Sequence, residues 1–252
     1  MQTDIKLVDI EPVFEDEEFR TPLKFGTGVI RAITSLTVRA TVENRRGETA
    51  EGLGNILLSD IWGYPSEVMS HEERDEAMRQ VAVRFCELLL ADAQYGHPID
   101  LYMAVKPELA RLAGEVGGDL QAKTPMPLLG ALVCASPADA ALHDAFGKVN
   151  GICSYDGYGP EFMADDLSRY LGPDFKGKYL ADYLHGAYKP QMPSFHLVGG
   201  MDKLRREEVT DEDPDDGLPV SLQEWIERDG LFCLKVKLTG TDIDGDVERT
   251  AE

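Results

Sequence analysis

The sequence lacks the features that direct a chain into a membrane or a secretory route. No apolar run approaches the ~20 residues that a membrane-spanning helix needs, and residues 1–6 contain no basic segment leading into an apolar stretch. Positive charge is scarce too, with 25 Lys and Arg against 46 Asp and Glu and a net charge of −21. Such a surface repels phosphate backbones and anionic membranes, so we expect neither nucleic acid nor membrane as a partner.

Cysteine is also rare. The four cysteines, Cys86, Cys134, Cys153 and Cys233, are far apart and form no Cys-x-x-Cys pair. Zinc sites and disulfide frameworks need closely spaced cysteines, whereas a lone thiol in an apolar stretch is usually a small core side chain. We therefore expect no metal site in this chain and a reducing, cytoplasmic compartment.

The N-terminal part predicts an antiparallel meander. The whole chain of 252 residues, 43% of them hydrophobic, is long enough to bury a substantial core. Apolar and polar residues alternate over residues 36–42, which is typical of a strand with one buried face. A turn at residues 44–47 and a return strand at residues 49–56 follow.

Helices are predicted next. Ser70 and Glu73 form a capping box in front of a long amphipathic stretch. Ser136 and Pro137 predict the start of a helix rich in small residues, with Ser136 as its N-cap. We interpret residues 1–150 as one α+β domain.

The C-terminal part predicts the beginning of a parallel array. Residues 151–193 form a connecting or inserted segment, and a short strand ends at Val198. The acidic segment 207–216 is interpreted as a solvated surface insertion. A helix from Ser221 leads into residues 231–238, whose apolar run is typical of a parallel strand that is covered on both faces. Residues 194–252 are thus interpreted as the first βα units of an incomplete barrel.

The most specific chemical feature is the pair Lys235 and Lys237. Side chains alternate along a strand, so both amines point to one face. On a buried strand, two like charges need an anion and lower the pKa of one amine, as a lysine base requires. The alternative is an edge strand with one wet face, and the pattern alone leaves it open.

Five segments resemble, in chain order, motifs of one enzyme family. They are residues 21–26 (TPLKFG), a loop that closes over substrate; the hairpin of residues 36–55; the helix of residues 138–148 (ADAALHDAFGK); the K-x-K strand at 232–238 (FCLKVKL); and the helix start at 244–249 (DGDVER). On these motifs the chain resembles the mandelate racemase/muconate-lactonizing enzyme branch of the enolase superfamily.

The resemblance implies a fold and a chemistry. The fold is an α+β N-terminal capping domain followed by the start of a (β/α) TIM-like barrel. The chemistry is Mg²⁺-assisted abstraction of a proton α to a carboxylate, giving racemisation, epimerisation, dehydration or cycloisomerisation in an isomerase or lyase. Lys237 would be the general base or acid, with Lys235 lowering its pKa and holding the substrate carboxylate. Lys24, Asn55 and Ser59 would line the substrate pocket.

The resemblance also implies that part of the enzyme lies elsewhere. The family carries its metal-binding carboxylates on strands after the K-x-K strand, and a barrel needs roughly 250 residues of its own. We therefore expect these residues to be the N-terminal part of a longer enzyme, with Mg²⁺ ligands beyond the C-terminus and little activity by itself. Val198 and the 232–238 strand should then be exposed.

A hypothesis from another class remains. The chain would then be a non-catalytic, acidic α+β module that binds a partner or assembles, and a homo-oligomer is compatible with either hypothesis.

Overall fold

The computed structural model describes residues 1–25, 28–92, 94–184, 186–238, 240 and 242–251. They divide into two compact units: residues 1–16 with 34–187, and residues 17–33 with 188–252. Residues 151–187 thus belong with the first unit, whereas the end of the N-terminal hairpin belongs with the second. Gly26 of the TPLKFG motif lies outside the described residues.

The N-terminal sheet has three strands in the order β1-β2-β3: β1 (Ile5–Phe25), β2 (Gly28–Asn44) and β3 (Thr49–Leu57). The predicted antiparallel pairing of β2 with β3 is confirmed, with Val38 opposite Gly54. The predicted alternation is confirmed as well, because the apolar residues of β2 are fully buried: Leu36, Val38, Ala40 and Val42. Gly47 has φ of +78° in the turn between the two strands, a conformation that glycine adopts without strain.

Six helices of the first unit accompany this sheet: α1 (Asp60–Gly63), α2 (His71–Ala91), α3 (Pro98–Val105), α4 (Leu109–Asp119), α5 (Leu128–Asn150) and α6 (Ser168–Leu171). The capping box of α2 is confirmed. The Ser70 hydroxyl accepts from the Glu73 amide at 3.2 Å, and the Glu73 carboxylate accepts from the Ser70 amide at 2.8 Å. The core of this unit lies between the sheet, α2 and α5, and its largest side chains include Phe85 and Phe146.

The predicted start of the small-residue helix at Ser136 is wrong. Helix α5 begins at Leu128 and carries Pro137 in its interior. Proline cannot donate a hydrogen bond to the carbonyl four residues earlier, but the Ser136 hydroxyl donates to that carbonyl, Val133 O, at 2.9 Å. The serine therefore satisfies the group that the proline leaves unpaired, and the helix continues through both residues.

The second unit contains a parallel pair of strands and two helices: β4 (His196–Val198), α7 (Leu222–Asp229), β5 (Leu234–Val236) and α8 (Ile243–Ala251). The register places Leu197 beside Lys235 and Val198 beside Val236. This order confirms the fold class: an antiparallel α+β part followed by the start of a parallel βα array. Within the described ranges, no helix has both the length and the apolar character that crossing a membrane requires.

Candidate functional site

The two faces of the β4–β5 pair differ. Neighbours in register share a face of a sheet, so Val198 and Val236 point to one side and Leu197 and Lys235 to the other. The valine side lines a cavity of about 350 Å³ together with residues of α7 and α8. The lysine side is therefore the face that these two helices leave open.

Lys237, the residue after β5, extends the pairing of β5 with β4. Its backbone amide donates to Val198 O at 2.9 Å, which extends the parallel ladder past the last residue of the strand. By alternation its side chain follows Lys235 to the helix-free face. In a (β/α) barrel the helices cover the outside, and the opposite face of each strand lines the interior.

The predicted coverage of this strand on both faces is wrong, and five of residues 232–238 are exposed, as expected for a strand without its barrel neighbours. Lys235 is exposed, Lys237 is half-buried, and the flanking Phe232 and Leu238 are 80% and 61% exposed. In the described part of the chain β5 pairs only with β4, so it is an edge strand, as the alternative has it. Val198 was expected to be exposed as well, and this is wrong. It is only 2% exposed, because it packs against α7 and α8.

Lys235 also contacts an aromatic ring on its own side of the sheet. Its Nζ lies 5.3 Å from the ring centroid of Phe195, the residue before β4. An ammonium group over a ring face is held by the ring quadrupole. This contact keeps the Lys235 side chain against the helix-free face of the sheet.

Lys24 lies at the carboxyl end of β4. Its Cδ is 3.5 Å from the point where a Cβ on Gly200 would stand, and Gly200 is two residues after the strand. Both residues belong to the second unit, with Lys235 and Lys237. Ligands of parallel α/β folds bind at the carboxyl ends of the strands, so three of the five predicted residues share one unit at the appropriate end.

Asn55 and Ser59 belong to the first unit. The Asn55 amide donates to the hydroxyls of Ser35 and Thr37 at 3.0 and 2.9 Å on the outer face of the sheet. Ser59 precedes α1 as its N-cap residue but makes no side-chain capping bond. The substrate-binding roles of Asn55 and Ser59 stay predictions.

A buried ion pair next to Ser59 escaped the sequence analysis. Arg74 of α2 donates to the Asp60 carboxylate from Nε at 2.9 Å and Nη2 at 2.5 Å, and to the Met69 carbonyl. Asp60 and Arg74 are 4% and 8% exposed. The pair fixes the segment that joins β3 to α2. The available signal was Arg74 itself, a charged residue one helical turn before the buried Met78.

A polar cluster also joins α5 to the segment that follows it. The Tyr158 hydroxyl and His143 Nδ1 are 3.0 Å apart, and His143 Nε2 lies 3.6 Å from Asp139. Burial lowers the pKa of His143 to about 4 and raises the pKa of Asp139 to about 6. His143 is thus a packed, neutral histidine.

The described residues do not fit a magnesium site. Among them, no group of three or more His, Cys, Asp or Glu side chains could hold a metal ion.

Comparisons with known proteins give structural matches only. No family model matches the chain, and no curated protein matches it. Among solved structures it is similar to an enolase from Bradyrhizobium complexed with magnesium and mandelic acid, at 17% identity and a TM-score of 0.37 over 60% of this chain and 34% of that one. It is also similar to an L-talarate/galactarate dehydratase from Salmonella typhimurium LT2, at 14% identity and a TM-score of 0.35 over 59% and 32%.

A third similar structure is an L-Ala-D/L-Glu epimerase from Bacillus subtilis, at 15% identity and a TM-score of 0.33 over 57% and 31%. The chain spans about a third of the length of these structures. At these identities the similarity concerns the fold and does not extend to substrate or reaction.

Proposed function

We propose that this chain supplies the cap, the K-x-K strand and the proton-transfer lysine of an enzyme that removes a proton α to a carboxylate. The observation that carries the proposal is the placement of Lys235 and Lys237 on the helix-free face of a parallel βαβ unit. Lys24 lies at the carboxyl end of the neighbouring strand. In such a fold that face and that end are where a ligand binds.

The roles follow from position along the strand. Lys237 lies closer to the carboxyl end, so its amine is the base that takes the proton from carbon and the acid that returns it. Lys235 lies two residues further from that end and provides a positive charge for the substrate carboxylate. Racemisation, epimerisation, dehydration and cycloisomerisation all begin with this step, and the proposal covers the step they share.

The test is exchange of the α-hydrogen in D₂O by the intact gene product. Acid sugars, amino-acid derivatives and dipeptides are incubated with and without Mg²⁺, and deuterium at the α-carbon is read by mass spectrometry. We expect exchange with one of these classes and a loss of about 10²–10⁴-fold in Lys237→Ala, the usual contribution of a general base. Lys123→Ala is the control, since Lys123 is an exposed lysine of the first unit.

Exchange that survives Lys237→Ala unchanged would remove this lysine from the mechanism. Absence of exchange with every class would remove the proposal as a whole.

A binding or assembly module is the second candidate, because Phe195, Phe232 and Leu238 expose apolar surface on 60–80% of their area. Sedimentation velocity separates the two. A stable oligomer dispersed by Phe232→Ser, in a protein without exchange activity, would favour the module.

A further inference from the structure

The acidic insertion forms a closed loop in the second unit. The Leu222 amide donates to Lys203 O at 2.8 Å, and the Gln223 amide donates to Leu204 O at 3.0 Å. These two bonds join the ends of the 16-residue segment 205–220, which has the length and the closed base of an Ω-loop. We call this segment the strap. Its base is fixed by backbone bonds, so any movement must occur at its tip.

The C-terminal half of the strap is tied to the N-terminal hairpin by one arginine. Arg20 donates from Nε and Nη2 to the two carboxylate oxygens of Asp216, at 2.6 and 2.7 Å. The same guanidinium donates to the carbonyls of Leu218 and Pro219, both at 3.1 Å. Arg20 belongs to the same compact unit as the strap. Four hydrogen bonds from one side chain, two of them bidentate to a carboxylate, give this contact defined geometry.

A second ion pair holds the middle of the strap. Lys203, five residues after β4, pairs with Asp213, whose carboxylate also accepts from the Thr210 amide at 2.7 Å. Asp213 and Asp216 therefore attach the strap at two points, one beside the strand and one on the hairpin. Of the other acidic side chains of the strap, Glu212 has no ion-pair partner among the described residues.

The strap forms one wall of a cavity. A space of about 620 Å³ is enclosed by strap residues Glu212, Asp213 and Pro214, by hairpin residues that include Arg20, and by Trp225 of α7. That volume is within the range of small-molecule sites. Lys203 and Asp213 both line this cavity, and so does Arg20 of the other ion pair.

We propose that the strap is a lid over this cavity and that the Arg20–Asp216 pair is its latch. The base bonds act as the hinge, and loss of the latch releases the strap from the hairpin while the base stays folded. The latch is partly exposed, with 29% of the Arg20 side chain and 44% of the Asp216 side chain accessible, so salt weakens it. Hydrogen bonds from Arg20 lower the pKa of Asp216 to about 2, so the latch stays charged in neutral and mildly acidic solution.

Trp225 reports on the lid, because it lines the cavity and is one of only two tryptophans in the chain. In a Trp62→Phe background, acrylamide quenching measures its accessibility. We expect Asp216→Asn to raise the quenching constant severalfold, and Glu212→Gln, the matched control in the same strap, to leave it unchanged. Exchanging the charges, with Arg20→Asp and Asp216→Arg together, should lower it again.

Hydrogen exchange distinguishes an open lid from an unfolded unit. In Asp216→Asn the amides of the strap should lose protection, including Leu218, which now donates to Asp216, while Leu222 and Gln223 at the base keep theirs. Equal quenching in Asp216→Asn and Glu212→Gln would overturn the proposal. Loss of protection at the base as well as in the rest of the strap would also overturn it, because the strap would then not hinge.

Discussion

Gly54 of β3 lies against the Pro137 carbonyl of α5 so closely that a Cβ on residue 54 would stand 2.0 Å from that oxygen. Gly52, two residues earlier on the same face, has the same relation to Ala141 O, at 2.2 Å. No side chain fits at either position, so the two glycines set the distance between the sheet and its central helix. The contact also explains the two glycines in a strand, where glycine is otherwise unfavourable.

Gly54→Ala should therefore destabilise the first unit. The added methyl meets backbone, which cannot rotate away, so we expect a loss of at least about 2 kcal/mol in the free energy of unfolding. Urea unfolding followed by circular dichroism measures it. Gly114→Ala in α4 is the control, because nothing lies within 4 Å of its Cβ position. That change should stabilise by about 0.5–1 kcal/mol; equal effects of the two substitutions would contradict the packing account.

Removing one partner of the Asp60–Arg74 pair should lower the free energy of unfolding. Arg74→Ala leaves the buried Asp60 carboxylate with only the His71 imidazole, 3.1 Å away, as a neighbour that can carry positive charge, and we expect a loss of about 3–5 kcal/mol. Replacing both partners, with Asp60→Asn and Arg74→Met, should cost less than the single change. Arg111→Ala, which removes an exposed pair with Glu108 and Glu115, should cost under about 1 kcal/mol. A single-site cost at Arg74 as small as that at Arg111 would argue that the pair does not hold the segment.

His143 should make stability depend on pH. Burial lowers its pKa to about 4, whereas an unfolded histidine titrates near pH 6.5. Between these values the unfolded state binds a proton that the folded state does not, so stability is lost as the pH falls from about 6.5 to about 4. The shift corresponds to a loss of roughly 3 kcal/mol across that window.

Asp139 acts in the opposite direction. Burial raises its pKa to about 6, so the folded state keeps a proton that the unfolded state releases, and stability falls as the pH rises from about 4 to 6. The effect of His143 is therefore measured in an Asp139→Asn background. There, acidification should destabilise the protein with His143 more than the His143→Gln variant. Parallel pH profiles for the two would show that His143 is not held neutral by the fold.

Local patterns predicted much of the first unit. The alternation along β2, the turn at Gly47 and the capping box of Ser70 and Glu73 each involve residues close in sequence, and each is confirmed. The rule that failed was also local. Ser136 has the type and position of an N-cap, but its hydroxyl bonds backward to Val133 O inside a helix. Whether a Ser-Pro pair begins or continues a helix depends on where that hydroxyl points, which composition does not determine.

For the second unit, the sequence predicted the order of the helices and strands but not the length of the strands. The apolar run at 231–238 indicates a strand, and its parallel pairing is confirmed, but only Leu234–Val236 is assigned to β5. Strand length and burial depend on neighbouring strands, which a run of apolar residues cannot report. The Arg20–Asp216 pair joins residues 196 positions apart, and no local pattern indicates such a contact. The lysine pair was visible because alternation alone places both side chains on one face.

Chemical rescue tests the role of Lys237 most directly. In the Lys237→Ala variant of the intact gene product, the α-hydrogen exchange of an active carboxylate should be lost and should return as ethylamine is added, with a rate that rises with the free-amine concentration. Lys235→Ala should instead weaken substrate binding and show no such return. Exchange in Lys237→Ala at the unsubstituted rate, or a loss that no added amine restores, would contradict the assignment of this amine as the group that moves the proton.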